Sequence, residues 1–310
     1  MRVAVVDIGT NSTRLLIADV SAGAVVELER RSTVTRLGEG VDSSGRLGEA
    51  PMGRVLATLD EYHRAISEHG VDATTGVLTS AVRDADNGPQ FTAQVRERYG
   101  LDVRTIDGDT EARLTFAGAT AGRDPSAAGP LLVFDIGGGS TEFVVGGGRA
   151  VSFHVSTQAG VVRQSERHIH SDPPAHAELE ALASDVRGLI AEGVPPDVRA
   201  SASAAIGVAG TATSCAGIAQ ALEPYDPRAV EGFRLDLGEA ELILARLAAM
   251  TDDERRRVKG LHPDRAPTIV AGVIILIEAL RAFGLDTMEV SEHDVLYGAA
   301  LERASGPPAA

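Results

Sequence analysis

One cysteine, Cys215, stands in 310 residues, which excludes an intramolecular disulfide framework and a cysteine-based zinc site. Positive charge is scarce as well. The net charge of −15 argues against a general nucleic-acid binder, which needs a basic surface. It leaves room for a polyanionic ligand, because a few arginines and oriented amides make a local positive field on an acidic protein. No apolar run reaches the ~20 residues of a membrane span. The longest, 269–276, contains Gly272 and is followed by Glu278 and Arg281, so a buried helix is expected there. The chain enters a strand at residue 3 without a cleavable signal pattern, and low-complexity segments and short-period repeats are absent. A cytoplasmic protein with no membrane and no nucleic-acid partner is the expectation. The length and an apolar content of 44% predict two domains, each with its own core.

What is present is a loop written twice. Residues 3–20, VAVVDIGTNSTRLLIADV, and residues 131–148, LLVFDIGGGSTEFVVGGG, align at a constant offset of 128, with Asp-Ile-Gly and Ser-Thr shared. Each copy predicts a strand, a tight glycine turn and a returning strand. The duplication implies two similar half-structures facing one cleft. Small residues and backbone N–H groups converging there suit a phosphate chain and a metal ion.

The first half predicts strands near 2–7, 14–20, 25–30, 32–36, 75–79 and 102–106. Helices are expected over 51–69 and 88–99, with a third capped by Asp109 and running to about 121. The stretch 122–129, GRDPSAAG, predicts a linker. The second half predicts strands at 131–135, 141–146, 150–155, 205–209 and 287–290. Its helices are expected over 157–169, 175–193, from 210, 238–250, 264–283 and 293–303, with a frayed tail SGPPAA. The domains are therefore set at 1–125 and 126–310, as two similar α/β halves.

In the first loop, Gly9 allows close backbone approach while Thr10, Asn11 and Ser12 add donors suited to phosphate oxygens. Asp7 opens this loop, and Arg14 just beyond it could grip phosphate through its fork. The competing reading is a polar hairpin tip with Arg14 on a solvated face. The second loop weighs against that. Gly137, Gly138, Gly139, Ser140 and Thr141 are more glycine-rich than a chain reversal needs, and each extra glycine costs about 0.5–1 kcal/mol. Asp135 before this loop and Glu142 after it are placed for magnesium bridging to phosphate oxygens. Alternatively Asp135 caps the turn and Glu142 faces solvent. Gly210 and Thr211 in GTAT, at a predicted strand-to-helix junction, would offer free N–H groups to a nucleotide phosphate, although a plain helix cap reads the same way.

Glu111 in GDTEARLTF could act as a general base, but first-turn carboxylates more commonly just complement the helix dipole. Arg83 in TSAVR, Arg36 in TRLGEG and Arg265 in DRAPT are further candidates for binding an anion. Arg163, Arg167, His168 and His170 read as a solvated helix end, and His293-Asp294 as helix capping.

Taken in order, AVVDIGTNSTRLLIAD, TSAVRDADN, IDGDTEARLTFAGA, FDIGGGSTEF, SERHIHSDPP and GVAGTATS resemble the exopolyphosphatase/guanosine pentaphosphate phosphohydrolase (Ppx/GppA) family, within the actin–hexokinase–Hsp70 superfamily. The resemblance covers nearly the whole chain. It implies two ribonuclease H-like α/β domains with an active-site cleft between them. It also implies Glu111 as catalytic base, Asp135 and Glu142 as metal-linked carboxylates, and 7–12 and 137–141 as phosphate loops. Longer members append further helical domains. This chain is similar to the short actinobacterial-type members, and it carries Thr110 where many relatives have a second Glu.

The activity this implies is Mg2+- or Mn2+-dependent release of terminal phosphate from polyphosphate, in a homodimer. The alternatives are a guanosine pentaphosphate (pppGpp) 5′-phosphohydrolase, a sugar or acetate kinase of the same superfamily, and a non-catalytic (p)ppGpp or polyphosphate sensor.

Overall fold

The computed structural model describes residues 1–123, 129–148 and 150–306. Most of the expected linker 122–129 and the end of the tail lie outside the described residues. The chain divides into two units, Met1–Asp124 with His293–Ala310, and Pro125–Glu292.

In the first unit, β1 (Arg2–Ile8), β2 (Ser12–Ser21) and β3 (Ala24–Val34) form a meander. It is followed by α1 (Val41–Ser44), α2 (Glu49–His69), β4 (Ala73–Leu78), α3 (Ser80–Asp84), α4 (Gly88–Tyr99), β5 (Val103–Thr105) and α5 (Gly108–Ala119). The second unit runs β6 (Leu131–Ile136), β7 (Thr141–Gly147), β8 (Ala150–Thr157), α6 (Val161–His168), α7 (His176–Gly193), α8 (Pro196–Ser201), β9 (Ala204–Val208) and α9 (Ala209–Ala219). It continues with α10 (Pro227–Val230), β10 (Arg234–Asp236), α11 (Leu237–Ala248), α12 (Asp252–Arg255), a 3-10 turn (Pro263–Arg265), α13 (Ala266–Phe283) and β11 (Thr287–Val290). The closing helix is α14 (Val295–Ser305).

Each sheet is a three-stranded antiparallel meander extended by parallel strands, in the order β3-β2-β1-β4-β5 and β10-β11-β9-β6-β7-β8, with β10 closing the second sheet antiparallel to β11. The two meanders even break register at the same place, between Ile17 and Ala18 and between Val145 and Gly146, 128 residues apart. Alternation along β1 sends Ala4, Val6 and Ile8 to a core with α2 and α4, and Val3 and Val5 to the opposite face. On α2, Val55, Leu59, Tyr62 and Ile66 recur at helical spacing and are buried, and Gly70 closes the helix with φ 58°. In the second unit α13 is the central core helix. The segment Pro263–Phe283 is long and apolar enough to cross a membrane by length and composition, but 78% of its apolar 18-residue window is buried inside the protein.

Three expectations are corrected. The pieces 25–30 and 32–36 are one strand, β3, whose exposed edge position hides the alternation that would mark it as continuous. The cap of α5 is Asp107, not Asp109, because Asp107 is extended and its side chain accepts from the Thr110 amide at 2.8 Å. Finally, α14 joins the first unit and not the second. Its face of Val295, Leu296, Tyr297, Ala299 and Ala300 completes the core of Val3, Val5, Leu16 and Ala18.

Candidate active site

In the first unit, the Gly9 amide donates to the Ser12 carbonyl at 3.0 Å and closes the loop between β1 and β2. The Thr10 carbonyl accepts from Gly38, and the Asn11 carbonyl accepts from Thr35 and Arg36. A trans peptide points its N–H opposite to the preceding C=O, so the Asn11 amide is turned to the other side of the loop. Neither that amide nor the Thr10 amide has a protein partner among the described residues. The side chain of Asn11, nine-tenths buried, has no hydrogen bond there either.

The Thr10 hydroxyl points inward instead. It pairs with Ser80 Oγ at 2.8 Å and accepts from the Ala81 amide at 3.1 Å, tying the loop to the first turn of α3. That helix carries Arg83, whose Nη1 donates to the Ile106 carbonyl at 3.0 Å and to Glu111 Oε2 at 3.2 Å. Glu111 lies in the first turn of α5 and is only 8% exposed. The structure therefore links the loop, Arg83 and Glu111 within one unit.

Arg14 is placed differently from the expectation. Its Nε and Nη2 lie 2.8 and 2.6 Å from Asp7 Oδ2, and its Nη1 donates to Asp294 Oδ2. The fork is committed to two carboxylates. The second oxygen of Asp7, Oδ1, is buried without a hydrogen-bond partner among the described residues. Burial pushes the Asp7 carboxyl above the usual aspartate range, with Arg14 opposing the shift and Asp294 adding to it.

The second unit repeats the loop at the same offset. The Gly137 amide donates to the Ser140 carbonyl at 2.9 Å. The Gly137 carbonyl accepts from Val161, the Gly138 carbonyl from Val162 and Arg163, and the Gly139 carbonyl from Arg163 Nε at 3.0 Å. Three successive carbonyls are thus drawn to the start of α6, and the amides of Gly138, Gly139 and Ser140 are turned the opposite way. None of the three has a protein partner among the described residues. Successive free amides of this kind make an anion-binding concavity. Gly160 permits the close approach of α6, since a Cβ there would lie 2.2 Å from the Gly139 carbonyl carbon.

Beside this cradle, Asp135 and Glu142 are direct cross-strand partners on β6 and β7. Glu142 is 1% exposed, which rules out the alternative in which it faces solvent. Its Oε1 accepts from Ser140 Oγ at 2.7 Å and from Ser156 Oγ at 2.8 Å. The Thr141 hydroxyl donates to the Ala159 carbonyl and so serves the fold.

No cluster of three or more His, Cys, Asp and Glu side chains fit for a metal occurs among the described residues. Two opposed carboxylates still fit Mg2+ when a substrate phosphate supplies the remaining oxygens, as is usual for this ion. The donor set is all oxygen, as a hard cation requires.

Gly210 and Thr211 lie inside the first turn of α9, which starts one residue earlier than expected, at Ala209 with φ 63°. The Arg265 guanidinium lies over Gly210, where a Cβ would fall 1.4 Å from Nη1. Thr211 is buried against Gly272 of α13. A cation held at a helix N-terminus opposes the helix dipole, an arrangement that a shared anion relieves.

Sequence reasoning missed Arg163, taken there for a solvated helix end, although His168 of the same cluster does close α6 onto Asp185. It also missed Ser156 and Ser80. No local signal marks these residues, because each acts on a loop well removed in sequence.

Comparison with known proteins agrees with this construction. The Ppx/GppA phosphatase family model matches residues 16–303. Exopolyphosphatase 2 of Mycobacterium tuberculosis is 37% identical over 98% of this chain and 98% of its own length. The crystal structure of an exopolyphosphatase-like protein matches with a TM-score of 0.91 at 33% identity, covering 98% of this chain and 99% of that one. An exopolyphosphatase from Cytophaga hutchinsonii matches with a TM-score of 0.89 at 26% identity, covering 99% and 98%. The fold is thus that of the actin-like ATPases. With a family match across almost its whole length and the same fold, the chain belongs to the Ppx/GppA phosphatase family.

Proposed function

We propose that this chain is an exopolyphosphatase that cleaves the terminal phosphoanhydride bond of inorganic polyphosphate. Water adds to the terminal phosphorus, the bond to the bridging oxygen breaks, and orthophosphate and a chain shorter by one unit leave. The observation that carries this reading is the cradle of outward amides at Gly138, Gly139 and Ser140 next to the opposed pair Asp135 and Glu142. It suits a polyanion with a divalent cation, and it is the type of site that stabilises charge on phosphoryl oxygens. The relatives named exopolyphosphatase support the same substrate class.

Glu111 is the general base in this reading. Arg83 orients its carboxylate through Oε2, and that carboxylate accepts the proton of the attacking water. The Asn11 amide and side chain are free to bind a phosphate oxygen. Asp135 and Glu142 would hold Mg2+ or Mn2+, which supplies charge neutralisation at the phosphates when bound.

A second reading, removal of the 5′ γ-phosphate of pppGpp, is favoured by one observation, the Arg265 guanidinium over the first turn of α9, which suits a nucleotide phosphate.

The test is orthophosphate release with Mg2+ from polyphosphate and from pppGpp in parallel, with Glu111→Gln as control. Polyphosphate as the faster substrate, with the variant slower by about 10²–10⁴, is the expected result. Release unaffected by Glu111→Gln sinks the assignment, and faster turnover of pppGpp replaces the substrate.

A further inference from the structure

One further buried carboxylate lies at the first hairpin, Asp294. It stands at the start of α14, 280 residues from its partner Arg14, and its side chain is 1% exposed. Its Oδ1 accepts from the Leu296 amide at 3.0 Å, so it caps α14. Capping uses one oxygen. The other, Oδ2, accepts from Arg14 Nη1 and faces Arg30 Nη2 at 3.5 Å. Arg14 carries the contact onward, because its Nε and Nη2 grip Asp7 Oδ2.

Two fixed points on one planar guanidinium leave it no rotation, so Asp7 is held by one oxygen while Oδ1 faces no protein donor. We propose that Asp294 is a positioning residue for the phosphate loop, acting through Arg14 to hold the Asp7 carboxylate in one orientation. The proposal rests on the reading of 7–12 as a loop that handles phosphate.

The same helix braces Glu111. Gly118 of α5 and Gly298 of α14 meet where a Cβ on Gly118 would lie 2.0 Å from the Asp294 carbonyl oxygen. A Cβ on Gly298 would lie 1.9 Å from the Leu114 carbonyl oxygen. One turn of α14 therefore sets both the helix of Glu111 and the carboxylate that opens the loop. A cap alone would need neither the second oxygen nor two guanidiniums.

Tyr62 of α2 faces Arg14, and the other charged and titratable groups around the cluster come from three elements. They are Arg14 from β2, Glu27 and Arg30 from β3, and Asp294 with Tyr297 and His293 at the start of α14. The neighbouring strand β4 brings none.

Two variants test the relay with opposite signs. Asp294→Asn keeps a good cap for α14 but removes the charge that Arg14 shares. Its kcat should fall about tenfold with KM little changed, as expected for a loosened reacting geometry. The Asp7 carboxyl, followed by carbon-13 NMR, should titrate at lower pH, since Asp294 no longer competes for Arg14. Arg30→Gln removes one of the two guanidiniums that Asp294 faces among the described residues, so Asp294 draws more on Arg14 and Asp7 should titrate at higher pH. A purely structural role would lower thermal stability in both variants without moving Asp7 in opposite directions. An Asp7 titration unmoved by either variant, or moved the same way by both, overturns the proposal. If wild-type protein releases no phosphate from polyphosphate, the functional reading fails, while the NMR titrations still decide the relay.

Discussion

Asp135 and Glu142 face each other across β6 and β7, and the residues at the same two positions of the first hairpin, Asp7 and Arg14, form an ion pair. One hairpin therefore carries opposite charges at these two positions and the other carries two carboxylates. Two carboxylates directly opposite each other cost about 0.2–1 kcal/mol in a sheet, and the Ser140 and Ser156 hydroxyls both donate to Glu142. A divalent cation should then raise thermal stability by about 2.7 kcal/mol at a hundredfold excess over its dissociation constant. Asp135→Asn should raise the stability of the metal-free protein slightly and abolish the response to Mg2+. Differential scanning fluorimetry across a Mg2+ titration measures both, and an undiminished response in Asp135→Asn would remove this pair as the metal site.

The duplicated hairpin was legible because its signal is local. Asp7, Gly9, Asp135 and Gly137 lie within a few residues of the turns they shape, and the offset of 128 carried over even to the register break. The amide cradle was legible only in part. Its glycines were visible, but the residues that turn its carbonyls, Val161, Val162 and Arg163, start a helix more than twenty residues on. Arg14 shows the same limit from the other side. Its fork looked free for phosphate, because nothing near it in sequence discloses Asp294.

Gly160 lets α6 reach the cradle, and this can be tested by adding one methyl group. A Cβ at 160 would lie 2.4 Å from the Gly138 carbonyl oxygen and 2.2 Å from the Gly139 carbonyl carbon, both backbone atoms that cannot rotate away. Gly160→Ala should cost about 1–3 kcal/mol, the usual penalty for overpacking. It should also push the loop amides out of place, with phosphate release falling more than the loss of folded protein explains. Equal activity per folded molecule, measured after correcting for the unfolded fraction, would mean that the cradle does not depend on α6.

Asp7 sets stability against function. Burial raises its carboxyl above the ordinary aspartate value of about 3.9. A group shifted upward contributes stability below its ordinary pKa and loses that contribution as pH rises through its folded value. Asp294 has the opposite sign. Burial pushes it up, but Arg14, Arg30 and the Leu296 amide hold it below the ordinary value, so its contribution is present above that value and lost as pH falls through its folded one. At neutral pH Asp7 therefore costs stability relative to acid. Asp7→Asn should melt no lower than the parent at pH 7 and lose this advantage near pH 4, while phosphate release falls at least about a hundredfold. A clear drop in melting temperature at pH 7 would refute the sign.

Cys215, the only thiol, lies fully buried on α9 in the core of the second unit. Burial, with a smaller contribution from Glu239, pushes its pKa up to about 12. At pH 8 its reactive thiolate is rarer than in an ordinary thiol by roughly a thousandfold. The unfolded chain ionises this thiol from about pH 8.5 while the folded chain does not. Stability should therefore decline between that pH and about 12, less steeply in Cys215→Ala. A disulfide reagent should label one thiol per chain in denaturant and essentially none in native buffer. Slow native labelling would then time the opening of the core around α9. Labelling within seconds under native conditions would show that this core is open to solvent, and with it the first turn of α9 that carries Gly210 and Thr211.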